Sequence, residues 1–237
     1  MRIFISGASS GIGIAICRRY LRAGFDVIAH YRTMNTSLYD LSKSHNSSII
    51  LSQCDFSSDL SFSNWLEKDK EFLTSSDVFV HAASALIPKP YFDVTPEDLL
   101  YHFRVNVISG AILLRELGTA MSKRGWGRVV MLSSIGVKFG GGLDTYSYSL
   151  SKHSIEFLPR IWRDWAINDV LINSLRIGVT DTLIHSNELN KNMIKRVALI
   201  PMQRAATTAE ISESIFYYGS DLNAYTTGQV ISVSGGE

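Results

Sequence analysis

Short apolar segments rich in β-branched residues alternate with longer segments of helical periodicity along the whole chain. Strands that alternate with helices form right-handed βαβ units, and strands this apolar are typical of a parallel sheet buried on both faces. The sequence therefore predicts an α/β fold, a single-domain doubly wound parallel sheet with helices on both faces, over residues 1–237. The predicted strands are Ile3–Ser6, Asp26–His30, Ile49–Gln53, Asp77–His81, Arg128–Leu132, Leu171–Leu175 and Gln229–Val233, and the helices assigned from periodicity are Ile12–Arg22, Pro96–Lys123 and Tyr148–Ile167.

The bulk composition excludes several classes of partner. A net charge of +1 over 237 residues gives no field that would attract nucleic acid or an anionic membrane surface. No apolar stretch approaches the roughly 20 residues that span a bilayer, and no segment has the pattern of a signal peptide. Cys17 and Cys54 make no disulfide framework, and no His/Cys spacing is typical of a zinc site. We therefore expect a cytoplasmic protein with no metal, no nucleic-acid partner and no membrane partner.

The stretch IFISGASSGIGIAI places a strand, a glycine-rich turn and an amphipathic helix in immediate succession. Glycines in such a turn let the backbone approach a pyrophosphate, which lies against the positive N-terminus of the helix. Glycine-rich turns also occur without a ligand, but this one follows the first strand of a doubly wound sheet, where nucleotides bind. The sequence thus predicts a Rossmann-like dinucleotide site. The predicted contacts in the turn are Gly7, Ser9, Ser10, Gly11, Ile12 and Gly13.

The end of the second predicted strand indicates which dinucleotide is bound. Folds that use NAD carry Asp or Glu about 20 residues past the turn, where the carboxylate holds the ribose 2′-hydroxyl. Here the strand ends in His30, Tyr31 and Arg32, with no acid. A guanidinium suits a 2′-phosphate, so the sequence predicts NADP(H) rather than NAD(H). The alternative is that Arg32 is only a surface charge.

Two tyrosines precede a lysine at the start of a predicted helix, in DTYSYSLSK. Tyr148 and Lys152 are four residues apart and share one helix face, whereas Tyr146 has Leu150 at that distance. A free phenol has a pKa near ~10, and a neighbouring ammonium lowers that pKa by favouring the phenolate. Such pairs also occur by chance on helix surfaces. The chemistry favours Tyr148 as a proton donor and leaves Tyr146 to line the substrate pocket or the turn.

The segment WGRVVMLSSIG brings Ser133 and Ser134 to the edge at which open α/β sheets bind ligands. With the glycine turn and the tyrosine–lysine pair, the chain resembles a short-chain dehydrogenase/reductase over essentially its whole length. The resemblance implies that Ser134 polarises a substrate carbonyl, with Ser133 as the alternative because the gap to Tyr148 is slightly longer than in the family. It also implies that Asn106, in RVNVISG, anchors a water that links Lys152 to solvent.

Other segments resemble family motifs in the same chain order. CDF resembles the family's C-D-V beside the adenine, and INSLRIGVTDT resembles N-x-x-x-P-G-x-x-x-T, a loop that covers the nicotinamide carboxamide. The segments IPMQR and YTTGQVISVSGG resemble the C-terminal motifs. The further cofactor contacts implied in this way are Asp55, Phe56, Ala82, Ala83, Lys152, Gly178, Thr180 and Thr182.

Three departures from the family pattern carry expectations of their own. The residues from His81 to Ser84 stand in place of N-N-A-G, and we expect His81 to be a structural histidine at a strand end. Ile177 replaces the proline before the loop glycine, which leaves that loop freer. Pro159 lies inside the predicted helix Tyr148–Ile167, so we expect a kink beyond the catalytic turn.

The resemblance implies hydride transfer between NADP(H) and a ketone or secondary alcohol. The pattern is most similar to 3-oxoacyl-[acyl-carrier-protein] reductases, and the basic segment KRGWGR is placed to meet an acidic carrier, although a solvated basic face is the simpler interpretation. A lid over about 179–202, with apolar and basic side chains, suits an apolar substrate with a polar handle. The resemblance also implies a homodimer or homotetramer.

Other functions remain open at this point. A different ketone, from sugar, polyketide or small-metabolite chemistry, is the main alternative. An epimerase or dehydratase acting on a sugar nucleotide would need a longer chain with an added substrate domain. A non-catalytic NADP-binding regulator would keep the glycine turn, but would have little need of Ser134, Tyr148 and Lys152 together.

Overall fold

A computed structural model describes residues 1–182 and 193–237, which form one sheet of seven strands with helices on both faces. The strands are β1 Arg2–Ser6, β2 Asp26–Tyr31, β3 Ile49–Gln53, β4 Val78–His81, β5 Gly127–Ser134, β6 Val170–Ile177 and β7 Gln229–Val233. The helices are α1 Gly11–Arg22, α2 Thr36–Ser44, α3 Asp59–Thr74, α4 Pro96–Phe103, α5 Ser109–Arg124, α6 Tyr146–Ser154, α7 Trp162–Ile167, α8 Met193–Ala198 and α9 Thr208–Tyr218.

The strand order is β3-β2-β1-β4-β5-β6-β7, and every neighbouring pair is parallel. This confirms the predicted doubly wound α/β fold. The order reverses between β1 and β4, which creates a crevice at the carboxyl ends of these strands.

Each face of the sheet buries its own apolar layer. Successive strand residues point to opposite faces, so Ile5 packs with Ile16 of α1 and Ile215 of α9 on one side. On the other side Phe4 stacks on Phe79 with ring centroids 5.5 Å apart, in the layer covered by α3, α5 and α7. The hydrophobic effect thus fixes the central strands between two helical layers, whereas the edge strands β3 and β7 are partly exposed, as at Ile50 and Val230.

The predicted helix Pro96–Lys123 contains a π-helical turn at Arg104–Ile108, between α4 and α5. The Ser109 amide donates to the Arg104 carbonyl, five residues earlier, so one extra residue enters the turn. Asn106 lies in this turn and is fully buried. Such π turns are frequent at functional sites.

The predicted kink at Pro159 is wrong, because the helix ends instead. The segment predicted as one helix over Tyr148–Ile167 consists of α6, which begins at Tyr146 and ends at Ser154, and the separate α7. Proline has no amide hydrogen, its ring collides with the carbonyl four residues earlier, and it disfavours helical backbone at the preceding residue. Turns with hydrogen bonds three residues apart connect the two helices, such as that from the Phe157 amide to the Ser154 carbonyl.

Part of the predicted lid over 179–202, residues 183–192, lies outside the described residues, while 179–182 and 193–202 are described. Within the two described ranges, no helix combines the length and apolar character needed to cross a bilayer. The same residues contain no group of three or more His, Cys, Asp or Glu side chains that could hold a metal ion.

Candidate active site

A cleft of about 1610 Å³ runs along the carboxyl edge of the sheet, over the crevice between β1 and β4. Most of the residues predicted from the sequence line this one cleft. Two of them, Gly13 and Asn106, lie behind its wall. The predicted residues that line it are Gly7, Ser9, Ser10, Gly11, Ile12, Arg32, Asp55, Phe56, Ala82, Ala83, Ser134, Tyr148, Lys152, Gly178, Thr180 and Thr182.

The glycine turn is shaped by close backbone packing. Gly7 has a φ of +72°, and a Cβ atom there would lie 2.6 Å from the Ala83 Cα atom. A Cβ atom on Gly13 would collide with the Gly7 carbonyl. Ser10 caps α1, because its Oγ accepts a hydrogen bond from the Gly13 amide at 3.0 Å. The turn therefore presents the N-terminus of α1 to the cleft, as a pyrophosphate requires.

His30, which sequence reasoning did not assign to the site, lines the cleft beside the glycine turn. The Gly7 amide donates to its Nδ1 at 3.1 Å, so its hydrogen lies on Nε2, which donates to the Cys54 carbonyl at 3.1 Å. Its ring stacks on Phe56 with centroids 3.9 Å apart. Burial lowers the pKa of His30 to about 4, so the ring is neutral. The available signal was a polar residue at the end of an otherwise apolar strand.

Two charged groups at this end of the cleft, Arg32 and Asp55, follow β2 and β3. Arg32 follows β2, and its Nη1 donates to the Tyr101 hydroxyl of α4 at 2.9 Å. The Asp55 carboxylate accepts from the Ser57 amide at 2.9 Å and hydroxyl at 2.7 Å. Burial acts to raise the pKa of Asp55, but these hydrogen bonds and the charge of Arg32 hold it below its usual value. A guanidinium and a carboxylate thus flank the end of the cleft at which the sequence predicts the adenosine.

Tyr148 and Lys152 lie together at the other end of the cleft, on the first turns of α6. Lys152 Nζ is 5.9 Å from the Tyr148 ring centroid and donates to the Leu132 carbonyl at 2.8 Å. Burial lowers the pKa of Lys152 to about 7. Tyr146 is placed differently, because its ring packs edge-on against Tyr91 with centroids 4.9 Å apart.

The two serines at the end of β5 have different partners. Ser133 is buried, and its Oγ lies 2.6 Å from a Glu156 carboxylate oxygen and 3.0 Å from the Lys152 carbonyl. Glu156 is also held by Arg176 of β6, with Nη2 to Oε2 at 2.7 Å. Ser134 Oγ instead accepts from the Gly136 amide at 3.2 Å, which leaves its hydroxyl hydrogen for another acceptor. This geometry favours Ser134 over Ser133 as the group that meets a substrate.

The Asn106 side chain hydrogen-bonds to two different segments behind the wall of the cleft. Its Oδ1 accepts from the Ala85 amide at 2.7 Å, and its Nδ2 donates to the Ala85 carbonyl at 3.0 Å. Nδ2 also lies 2.8 Å from Ser151 Oγ, which donates to the Tyr148 carbonyl. The side-chain amide therefore joins the cleft wall to α6 and is engaged by protein on both of its polar atoms.

The loop after β6 reaches back to the glycine turn. A Cβ atom on Gly178 would lie 2.6 Å from Ser234 Cα, so this loop packs directly on the segment after β7. A Cβ atom on Gly11 would be 3.3 Å from Thr182 Cγ2, which places Thr182 beside the turn. Asn173, matched to the same family motif, braces β6 to β7 through the Thr226 carbonyl and the Gln229 amide.

A parallel sheet with a glycine-lined phosphate cradle, and with Ser, Tyr and Lys at the opposite end of one cleft, defines an oxidoreductase that binds a nicotinamide dinucleotide. The family model described as enoyl-(acyl carrier protein) reductase matches residues 7–237. The chain belongs to the short-chain dehydrogenase/reductase family.

Relatives of known name cover nearly the whole chain. The 2-dehydro-3-deoxy-D-gluconate 5-dehydrogenase of Bacillus subtilis is 25% identical over 98% of this chain and 92% of its own. A 3-oxoacyl (acyl-carrier-protein) reductase of Agrobacterium tumefaciens, solved with NADP bound, is 27% identical with a TM-score of 0.87, and the match covers 100% of this chain and 93% of that one. A Beutenbergia cavernae protein assigned as an NAD(P)-dependent gluconate 5-dehydrogenase, also with NADP, is 29% identical with a TM-score of 0.88, over 99% and 95% of the two chains.

Proposed function

We propose that this protein is an NADPH-dependent carbonyl reductase that interconverts a ketone and a secondary alcohol. The observation that carries the proposal is the cleft itself: Ser134, Tyr148 and Lys152 line one end, and Arg32 lines the end beside the adenosine walls. Two of the relatives named above hold NADP, which supports the same cofactor here.

The residues present fit the dinucleotide along the full length of the cleft. The amides at the N-terminus of α1 would hold the pyrophosphate, because the close packing that Gly7 and Gly13 allow within the turn presents this end of the helix to the cleft. Arg32 would bind the 2′-phosphate, Asp55 the adenine amine, and Thr180 and Thr182 the carboxamide. When bound, the reduced nicotinamide supplies a hydride to a carbonyl carbon.

Three side chains of this protein would stabilise the negative charge and transfer the proton at the carbonyl oxygen of the substrate. Ser134 donates a hydrogen bond to that oxygen and stabilises its developing negative charge. Tyr148 delivers the proton in reduction and removes it in oxidation. Lys152, when protonated, stabilises the resulting phenolate. Because burial lowers the pKa of Lys152 to about 7, its charge is sensitive to its surroundings near neutral pH.

For the substrate we favour a 3-oxoacyl thioester or a similar ketone with an apolar chain. Beside the start of α6, Tyr91 packs edge-on against both Tyr146 and Phe92, and Tyr91 and Phe92 form an exposed apolar surface. Reduction of a keto sugar acid is the second candidate, favoured by the likeness to the two gluconate dehydrogenases. Docking of an acidic carrier on the basic segment around Lys123, and assembly as a dimer or tetramer, remain predictions.

The proposal is tested by following NADPH absorbance with a panel of 3-oxoacyl thioesters, quinones and keto sugar acids. We expect at least one ketone to be reduced. In Tyr148→Phe we expect kcat to fall about 100-fold or more with little change in NADPH affinity, since general acid catalysis contributes on that scale. Tyr146→Phe, which also removes a phenol hydroxyl, is the matched control and should keep most of kcat. Residual activity of Tyr148→Phe within about tenfold of wild type would refute the assigned role.

A second test concerns the choice of nucleotide. In Arg32→Ala we expect the KM for NADPH to rise about tenfold and that for NADH to stay nearly constant, because a hydrogen bond to a charged group contributes about 1.5–3 kcal/mol and solvent screens part of it. Arg163→Ala, an exposed arginine on α7, serves as the control for loss of one positive charge. An unchanged ratio of the two KM values would show that Arg32 is a surface charge only.

A further inference from the structure

His81, the last residue of β4, is fully buried and lies at the centre of a polar network that the mechanism above does not use. Its Nδ1 is 2.9 Å from the hydroxyl of Ser6, the residue before the glycine turn. Its Nε2 is 3.3 Å from the backbone carbonyl of Asn106 in the π turn. His81 does not line the cleft, so it has no route to a substrate.

The partners of His81 fix where its hydrogen lies. The Ala83 amide donates to Ser6 Oγ at 3.1 Å, so this hydroxyl is free to direct its own hydrogen at His81 Nδ1. Nδ1 is then an acceptor, and the ring hydrogen lies on Nε2, which donates to the Asn106 carbonyl. Burial first, and the charge of Lys152 second, lower the pKa of His81 to about 3, so the ring is neutral.

Helix α5 leaves space for the His81 ring because the residue that faces the ring is a glycine. Gly110, in the first turn of α5, faces it directly, and a Cβ atom there would lie 2.8 Å from both Cδ2 and Nε2 of His81. Any larger residue at position 110 would push the imidazole away from the Asn106 carbonyl.

We propose that His81 is a positioning residue that couples the base of the phosphate turn to the catalytic helix. The connection runs from Ser6 through the imidazole to the π turn, and from the Asn106 side chain to Ala85 and to Ser151, the neighbour of Lys152. The neutral ring holds the π turn at a fixed distance from β1, so the Asn106 amide meets α6 in one register. This inference rests on the proposed reductase activity, which Tyr148 and Lys152 carry out.

Kinetics separate this role from a purely structural one. With NADPH and acetoacetyl-N-acetylcysteamine as the probe ketone, we expect His81→Phe to lower kcat about tenfold while the Kd for NADPH stays within about threefold, because a ring without nitrogens leaves both partners unsatisfied. His81→Gln, whose amide retains one donor and one acceptor, should recover most of kcat. Val80→Ala on the same strand is the control, since it removes buried methyl groups without touching the network. Equal kcat in wild type and His81→Phe, or equal losses in His81→Phe and Val80→Ala, would overturn the proposal.

Gly110→Ala is a second variant that keeps the histidine. It tests the same coupling where His81→Phe does not fold. The added methyl group displaces the ring from the Asn106 carbonyl, so the variant should show the kcat loss expected for His81→Phe with NADPH affinity retained. Wild-type kcat in Gly110→Ala would contradict the coupling.

The predicted tautomer of His81 can also be tested by a measurement that does not depend on enzymatic activity. In protein labelled with ¹⁵N-histidine and assigned by comparison with His81→Gln, we expect His81 to remain the neutral Nε2–H tautomer between about pH 5 and 8. An Nδ1–H tautomer or a cationic ring would overturn the inference. Failure of the proposed activity would instead appear as wild-type protein that reduces no ketone of the panel.

Discussion

Lys152 is enclosed by the fold although water stabilises an ammonium group better than any protein interior does. Its side chain is 3% exposed and has the Leu132 carbonyl as an acceptor at 2.8 Å. Burial lowers its pKa from 10.5 to about 7, and a folded-state pKa below the unfolded value means that the unfolded chain binds more protons between these two values. The lysine therefore destabilises the fold, and it does so less as the pH rises from about 7 to 10.5.

We expect Lys152→Met to stabilise the protein without cofactor while abolishing turnover. At pH 7 the free energy of unfolding should rise by about 2 kcal/mol, because the gain from removing a buried amine exceeds the loss of its hydrogen bond to Leu132. Urea unfolding of both proteins at neutral and alkaline pH measures this, and the advantage of the variant should shrink as the pH rises. A variant less stable than wild type at neutral pH would contradict the expectation.

At the scale of single residues, local spacing was sufficient for some predictions and not for others. The four-residue interval from Tyr148 to Lys152 places both on one helix face in any helix, so the pair could be predicted before the fold was known. The pairing of His30 with the Gly7 amide depends on the register of β2 beside β1. The link from Arg32 to Tyr101 depends on where α4 crosses the cleft. The partners in these two contacts are 23 and 69 residues apart in sequence, so neither pairing could be predicted from local spacing.

The turn between β1 and α1 is determined by its packing against the end of β4 as much as by its own conformation. Gly7 and Gly24 both have positive φ angles, +72° and +80°. A Cβ atom on Gly7 would lie 2.6 Å from Ala83 Cα, whereas nothing lies within 4 Å of one on Gly24. The two glycines thus share a backbone requirement and differ in the space around them.

We expect Gly24→Ala to lower the free energy of unfolding by about 1 kcal/mol, the cost of left-handed backbone for an L-residue. Gly7→Ala should lose about 3 kcal/mol or more, because the backbone of Ala82 and Ala83, directly after β4, would have to move as well. Urea unfolding measures the stabilities, and a fluorescence titration measures NADPH binding, which only Gly7→Ala should weaken. Equal losses in the two variants would show that crowding against β4 contributes nothing.

The elements were predictable where their signal is local. All seven strands lie where apolar runs placed them, with ends that differ by a few residues. The π turn at Arg104–Ile108 and the break before α7 were not predicted. The π turn depends on partners from β4 and α6 that fix Asn106, and the break reflects the steric effect of Pro159 over several residues rather than at one bend.

The whole molecule contains neutral, buried histidines whose protonation opposes folding. Burial lowers the pKa of His30 to about 4 and that of His81 to about 3, from 6.5. Because the folded-state values are lower, the unfolded chain binds more protons below about pH 6.5. The stability of the fold therefore falls as the pH decreases through this window.

We expect His30→Gln to weaken the dependence of the free energy of unfolding on pH, because the variant lacks one side chain that binds a proton on unfolding. The slope of the free energy of unfolding against pH between about pH 6 and 4.5 should be smaller than in wild type by about 1.4 kcal/mol per pH unit. Above pH 7, where His30 is neutral in both states, the two slopes should agree, which provides the internal control. Parallel curves across the acid range would mean that His30 is protonated equally in folded and unfolded protein.

The segment that follows α6 is attached to the sheet, and this attachment bears on how the substrate specificity of the protein can be changed. Glu156, two residues past the end of α6, is bound by Arg176 of β6 and by Ser133 of β5, both of which belong to the sheet. The loop after β4 and the loop before α6 are joined to one another, because the amides of Lys89 and Tyr91 donate to the carbonyls at 144 and 143, and Tyr91 also packs against Tyr146 of α6. Loops grafted from a relative with a different substrate, with the contact between Tyr91 and Tyr146 retained, should therefore change which ketone is accepted and leave the proton donor where it is.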